Sequence, residues 1–358
     1  MGAMLPLPSR TSRTAGTAVL LALGFVVLGA TPASAHGLTG VQPTNFASHV
    51  ISVTPSAPGL TVRVLDLGAR IELRNATRYD VVVLGYQGEP YLRVGPDGVF
   101  ENRRSPAVFL NRSTTVTATV PSLYDARARP VWRRTSLGRV VAWHDHRVHW
   151  MGASLPPTVH DSPGHVHVVS NWTVTLEYRG RPITVRGDLL WVPGPSALPR
   201  LGLALLVALV VGGLGFTRRW AAVVALALLV AAVLVGFLIA GEWSSISAGW
   251  WSAFLSTAYS IFGVAVALAA IGALARSWRT PGDAVALVLV AAVVLTFGSG
   301  LADITVLDHS QLPTSLSGSL ARTFVAVVLG AGVGVLVTAA RKLRRPPPST
   351  VPPARSAS

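Results

Sequence analysis

The hydrophobic pattern divides the chain into two unlike parts. In the second part, five long apolar runs cover 198–216, 220–240, 251–275, 284–301 and 321–340. Each is close to the roughly 20 residues that a helix needs to cross a hydrocarbon core. Between 36 and 197 no such run exists. Short β-prone stretches stand there instead, broken by Gly, Pro, Asn and Asp. They are LTVRVLD (60–66), ARIELRN (69–75), YDVVVLGY (79–86), STTVTATV (113–120), GRVVAWHD (138–145), NWTVTLEY (171–178) and PITVRGDLLWV (182–192). Several alternate apolar and polar residues, as strands with one buried face do. Trp172, Val174, Leu176 and Tyr178, with Val185 and Leu189, fit inward-facing rows. The pattern predicts an all-β sandwich over 36–197, Ig-like or cupredoxin-like, followed by an all-α membrane domain of five transmembrane helices over 198–345.

Charge gives this layout a direction. Arg10 and Arg13, the apolar run 15–30 and the small residues Ala33, Ser34 and Ala35 read as a signal peptide over 1–35. Cleavage after Ala35 leaves His36 as the new amino terminus. Arg218, Arg219, Arg276, Arg279 and the basic cluster 341–345 occupy alternate loops, whereas 241–249 and 303–320 carry acids and no arginine outside the start of the last apolar run. By the positive-inside rule the basic loops are cytoplasmic and 36–197 is extracytoplasmic. Tryptophans near the run ends suit an aromatic belt. The Pro/Ser-rich tail 346–358 reads as disordered and cytoplasmic.

Composition supports a multi-pass protein of the cell membrane: of 358 residues, 51% are hydrophobic and only 13% charged. Cysteine is absent, which removes disulfides, thiolate metal sites and cysteine nucleophiles. The formal charge is +15, nearly all from arginine, with Lys342 the only lysine. The basic residues form no patch interleaved with aromatics, so nucleic acid is not an expected partner. No P-loop, nucleophile elbow or zincin motif is present, and no residue is assigned a catalytic role. The sequons at Asn75, Asn111 and Asn171 read as turn and strand residues.

The candidate chemistry lies in the histidines. All nine fall where the topology places the outer side, and His144, His146, His149, His160, His165 and His167 fall within 24 residues. Imidazole suits zinc, copper and nickel when thiolates are missing. On a strand His144 and His146 share a face, and His149 joins them only if a bend intervenes. His165 and His167 repeat the same spacing. If the strands carrying the two pairs lie side by side, four nitrogens converge. His36 at a free amino terminus offers its α-amino and ring nitrogens to Cu(II). The expected metal ligands are therefore His36, His144, His146, His149, His165 and His167, with copper first and zinc second. Met151 is a soft ligand for Cu(I). Two other readings remain open: a pH sensor, with Asp145 and Asp161 as partners, and solvated residues with no special role.

In the helical half, polar residues gather at the expected outer ends: Glu242, Asp303, Asp308, His309 and Arg322. Asp303 and Arg322 are placed to form an ion pair. Gly330, Gly332 and Gly334 suit close helix packing. No run carries a central charge or the break typical of a transporter.

The small-residue site before His36, the His-rich outer β region and the five apolar runs together resemble copper-resistance proteins of the CopC–CopD type and their fused relatives. The resemblance covers the layout of the whole chain and no extended motif. It implies an extracytoplasmic copper-binding β-sandwich joined to a membrane part, with the lipid bilayer, a metal ion and another envelope protein as partners. The arginine-rich, lysine-poor usage resembles uncharacterised membrane proteins of actinobacteria.

Overall fold

A computed structural model describes residues 41–112, 119–152, 154–245, 250–276 and 281–344. The expected signal peptide, His36, most of the stretch 113–120 and the tail 346–358 lie outside the described residues.

The first part is rich in β-sheet. Strands β1 (Phe46–Thr54), β2 (Leu60–Leu65), β3 (Arg70–Asn75), β4 (Val81–Leu84), β5 (Pro90–Gly95) and β6 (Gly98–Asn102) lead to a short helix α1 (Pro106–Leu110). Then follow β7 (Trp132–Ser136), β8 (Val140–Trp143), a helical turn α2 (Pro157–His160), β9 (His167–Tyr178) and β10 (Arg181–Trp191). Seven strands form one sheet in the order β1-β10-β9-β4-β5-β6-β7, and three form another, β2-β3-β8. Each pairing is antiparallel. A single apolar cluster draws on both sheets, with Ile71, Leu73 and Trp143 from the smaller and Val81, Val94, Trp172, Val174, Leu176, Val185 and Leu189 from the larger. The row anticipated on β9 and β10 is thus buried, apart from the half-buried Tyr178. Gly187 makes room for it: a Cβ there would stand 2.0 Å from the Trp172 ring.

Four strands escape the alternation rule. β1, β5, β6 and β7 carry consecutive buried pairs or a mostly exposed face instead of a clean period of two. Two sequons are built into the fold. Asn75 is fully buried and its Nδ2 donates to the carbonyls of Tyr79 (2.7 Å) and Val94 (2.8 Å). Asn111 caps α1 and accepts from the Tyr86 hydroxyl.

The second part is helical. Helices α3 (Leu198–Leu214), α4 (Trp220–Ser245), α5 (Trp250–Arg276), α6 (Pro281–Val294) and α7 (Gly318–Leu343) match the five apolar runs in place. Four of the helical segments are long and apolar enough to cross a membrane, α6 counting with its extension to Leu301. The run at 198–216 gives only 17 helical residues. At 1.5 Å per residue that is about 26 Å, short of a core about 30 Å thick. The outward faces are apolar: Leu205, Leu206 and Leu209 on α3 and Leu226, Val233 and Phe237 on α4 are all exposed. Water would penalise such a surface, and lipid would not.

Glycines set how closely α3 and α7 approach. A Cβ on Gly330 would lie 2.3 Å from the Ala204 carbonyl, and one on Gly334 2.9 Å from that of Ala208. The small-residue row therefore does what its spacing suggests. At the far end of α7, Arg341 lies over Phe216 (4.0 Å) and Lys342 over Trp220 (4.6 Å). Beyond α6 the helix widens into a π-helical turn, Leu295–Leu301, in which the amide of Ala302 donates to the Phe297 carbonyl (3.2 Å). The expected Asp303–Arg322 pair is not formed among the described residues. Arg322 donates to the His309 carbonyl at 2.7 Å, because the loop before α7 folds back over the guanidinium.

That loop joins the two parts. Thr44 and Gln311 exchange backbone bonds of 3.0 and 2.8 Å, the amide of Ser310 donates to Asn45 Oδ1 (2.8 Å), and its hydroxyl donates to the Val192 carbonyl (2.7 Å). Gly194 passes so close that a Cβ would stand 1.6 Å from the Asp308 carbonyl oxygen. Substituting Gly194→Ala should therefore force the loop off the β region. We expect faster limited proteolysis around 192–197, whereas Gly202→Ala, with open space at its Cβ, leaves the digestion unchanged.

Candidate functional site

The site grows from one buried carboxylate. Strand β8 ends at Trp143, and the chain then turns sharply through residues 145–149. Asp145 has no exposed surface. Its oxygens accept from Trp143 Nε1 (2.9 Å), from Arg147 Nε (2.8 Å) and Nη2 (2.7 Å), and from the Arg147 amide (3.1 Å). The last contact is the local Asx-type bond that favours Asp in turns. Burial alone would push the Asp145 carboxyl up. The Arg147 guanidinium, with the Trp143 bond, outweighs it and holds the group below the usual carboxylate range. Tyr86 sits over this pair, with the Arg147 guanidinium 4.8 Å from its ring and its hydroxyl accepting from the His146 amide (3.0 Å).

The turn supplies the bend that the sequence requires. His144, His146 and His149 lie beyond β8 and not on a regular strand, so the expected shared strand face is replaced by a turn. The result is a three-ring cluster. Ring centroids are 4.4 Å apart for His144–His149, 5.2 Å for His144–His146 and 5.9 Å for His146–His149.

Two of the three tautomers follow from their partners. His144 Nδ1 faces the Ala69 carbonyl at 2.8 Å, and His149 Nδ1 faces the Asp145 carbonyl at 3.1 Å. A carbonyl only accepts, so both Nδ1 atoms carry the proton. Each Nε2 then presents a lone pair. Both Nε2 atoms are buried with no hydrogen-bond partner. Buried polar atoms of this kind are rare, because desolvating them without a partner costs free energy. An Nδ1–H held by a backbone carbonyl, with Nε2 left as donor, is also how proteins orient a histidine toward a metal. Burial lowers the pKa of His144. It lowers that of His149 to about 4, aided by the neighbouring His144 and His146. Both rings are thus neutral near pH 7, the form that binds metal.

The other expected ligands lie elsewhere. His165 is exposed, and His167 begins β9 with its Nε2 donating to the Ser162 carbonyl at 2.8 Å. β8 belongs to the three-stranded sheet and β9 to the seven-stranded one. The strands of the two histidine pairs are therefore not neighbours, and the four-nitrogen arrangement that depended on their pairing does not form on this topology. His36 lies outside the described residues. Among the described residues, no group of three or more His, Asp and Glu side chains has its donor atoms already gathered for an ion. What the turn provides is a pair of oriented nitrogens with a third ring alongside.

The turn that precedes the His144 partner borders the helical part. Ala69, which holds His144, follows the turn Asp66–Gly68. Asp66 and Leu67 line a cavity of about 180 Å³ with Val41, Ser245, Leu312, Pro313 and Thr314. No family model, curated protein or solved structure matches this chain.

Two outcomes follow for the metal-free protein. A histidine with an unfolded pKa of about 6.5 and a folded one of about 4 binds fewer protons when folded. Stability is full above that window and falls as the pH drops through it, by about 3 kcal/mol from His149. Tryptophan-monitored unfolding against pH should show this slope, and His149→Gln should flatten it. Asp145→Ala leaves the half-buried Arg147 without its partner and should cost about 3 kcal/mol in the same assay.

Proposed function

We propose that this chain is a membrane-anchored, extracytoplasmic binding protein for a transition metal, copper first and zinc second, in metal homeostasis or delivery. The observation that carries the reading is the pair of buried, unpartnered Nε2 atoms of His144 and His149. With the His146 ring close to both, at centroid distances of 5.2 and 5.9 Å, rotation of the side chains would have to gather three imidazoles onto one ion. A metal–nitrogen bond of about 2.0–2.1 Å sets that distance. An all-nitrogen set without thiolate is suited to Cu(II) and Zn(II). His36 is a further candidate ligand, which the cleaved amino terminus would supply.

In this reading the two sheets form an Ig-like or cupredoxin-like β-sandwich, and α3 serves as a fifth, shorter transmembrane helix. The basic residues at the end of the bundle away from the sheets face the cytoplasm, which puts the histidines outside. The competing reading is an envelope scaffold whose histidines respond to pH. Depressed basicity speaks against it, because burial lowers the pKa of both rings, that of His149 to about 4.

Equilibrium dialysis of the full-length protein, produced with its authentic processed terminus, tests the proposal. About one Cu(II) or Zn(II) per chain is expected, with Cu(II) quenching Trp143 and Trp150. His144→Ala and His149→Ala should each weaken binding by roughly 10–100-fold or more, and His165→Ala and His167→Ala should leave it unchanged. Binding no tighter than that of a His144→Ala/His146→Ala/His149→Ala variant would give the scaffold reading the better claim.

A further inference from the structure

The end of the helical part nearest the sheets carries a pair of arginines that the histidine site does not use. Helices α3 and α7 pack along a seam of small residues, in which Ala204 and Ala326 share a buried cluster. Arg200 stands one helical turn before Ala204, and Arg322 one turn before Ala326. Both side chains therefore crown the same end of one seam. Arg200 Nη2 donates to Ser319 Oγ at 3.3 Å, and Arg322 Nη2 donates to the His309 carbonyl at 2.7 Å. Arg322 also folds back over the first turn of α7, where Gly318 leaves it room: a Cβ there would stand 2.6 Å from Arg322 Nη1. The Nε atoms of both arginines are buried with no hydrogen-bond partner. Among the described residues neither guanidinium forms an ion pair with a carboxylate.

This placement runs against ordinary helix electrostatics. The amino-terminal end of a helix is partly positive, so acids are favoured there and bases at the other end. Neither α3 nor α7 has an acid in its first turn, and each places an arginine near its start. Two cations at two helix N-termini, with buried donors unused, favour an anion at the mouth of the seam. Each guanidinium has five donors in a planar fork suited to phosphate, and each commits one of them to protein. An exposed apolar stripe starts at the same place, with Leu198, Leu201 and Leu205 on α3 and Leu320 on α7. A lipid tail has use for that stripe and a free ion has none. A zwitterionic headgroup would bring its ammonium toward the arginines, so a headgroup of net negative charge fits better.

We propose that the mouth of the α3–α7 seam binds the phosphate of an anionic phospholipid headgroup through Arg200, Arg322 and Ser319, with an acyl chain lying along Leu198, Leu201 and Leu205. The site is independent of the histidine cluster, and of which side of the membrane the sheets occupy.

The test uses the full-length protein, with phosphatidylglycerol and phosphatidylcholine as probes. In detergent, native mass spectrometry should show phosphatidylglycerol retained in preference to phosphatidylcholine. Arg200→Gln and Arg322→Gln should each weaken that retention roughly tenfold, while Arg218→Gln, at the opposite end of α3, and a His144→Ala/His149→Ala variant keep it. A second arm needs no variant to fold. In nanodiscs of the unmodified protein, phosphatidylglycerol should protect Arg200 and Arg322 from labelling by phenylglyoxal, relative to phosphatidylcholine, and more strongly than it protects Arg218. Inorganic phosphate added to phosphatidylcholine nanodiscs should not reproduce the protection. Equal labelling in the two lipids, protection by inorganic phosphate alone, or retention that survives both arginine substitutions together would overturn the proposal.

Discussion

A carboxylate with no exposed surface has to be neutralised inside the fold, and Asp145 is that group. Its four closest donors come from only two residues, Trp143 at the end of β8 and Arg147 in the turn, with the Tyr86 hydroxyl farther off at 3.4 Å, so satisfying the charge fixes the chain between them. The Asp145 carbonyl then holds His149, while Tyr86 holds the His146 amide. The imidazole cluster is a consequence of this charge pairing. Removing one partner of such a pair is far more damaging than replacing both, because a lone buried charge remains. The same rigidity suits a binding site, since rings held by backbone carbonyls lose little freedom when an ion arrives.

The sequence made the division into two parts legible, and the physics explains why. Alternation over β9 and β10 is strong because one face is buried and the other is not, and both strands are long. The five apolar runs coincide with five helices because a helix satisfies its backbone groups within a single segment, as apolar surroundings require. β1, β5, β6 and β7 were missed because their burial does not alternate. β5 and β6 flank the turn residues Gly95, Pro96, Asp97 and Gly98, and that Asp-Gly signal between apolar runs was available to be read. α3 fell short of a full span because its helix ends at Leu214 and the chain is already turning at Phe216, before the apolar run is used up.

The histidines were partly legible. Their clustering between 144 and 167 is plain in the sequence, but convergence depends on which strands pair, and pairing is a tertiary property. Period-two reasoning placed His144 and His146 together and left out His149 unless the chain bends. The bend was encoded in Asp145 and Arg147, an acid and a base two residues apart beside a tryptophan indole. His165 and His167 share the spacing of His144 and His146 but not their surroundings, since Ser162 takes up the Nε2 of His167. The π-helical turn had no sequence signal beyond two glycines and a serine in LTFGSGL, a composition common in membrane helices.

The two polar features of this molecule differ in donor atoms, and that difference bears on how they could work together. Imidazole nitrogens near the sheets favour copper or zinc, whereas the cavity between α4, α5 and the π-helical turn offers only oxygen. An ion gripped by the first would lose most of its bonding on moving to the second. A direct hand-over into the helices is therefore the less favourable route, and transfer to another envelope protein with nitrogen or sulfur ligands is the better one. What links the two features is mechanical. The loop that clasps Thr44, Asn45 and Val192 also closes over Arg322 through the His309 carbonyl, and Asp303 stands at its start.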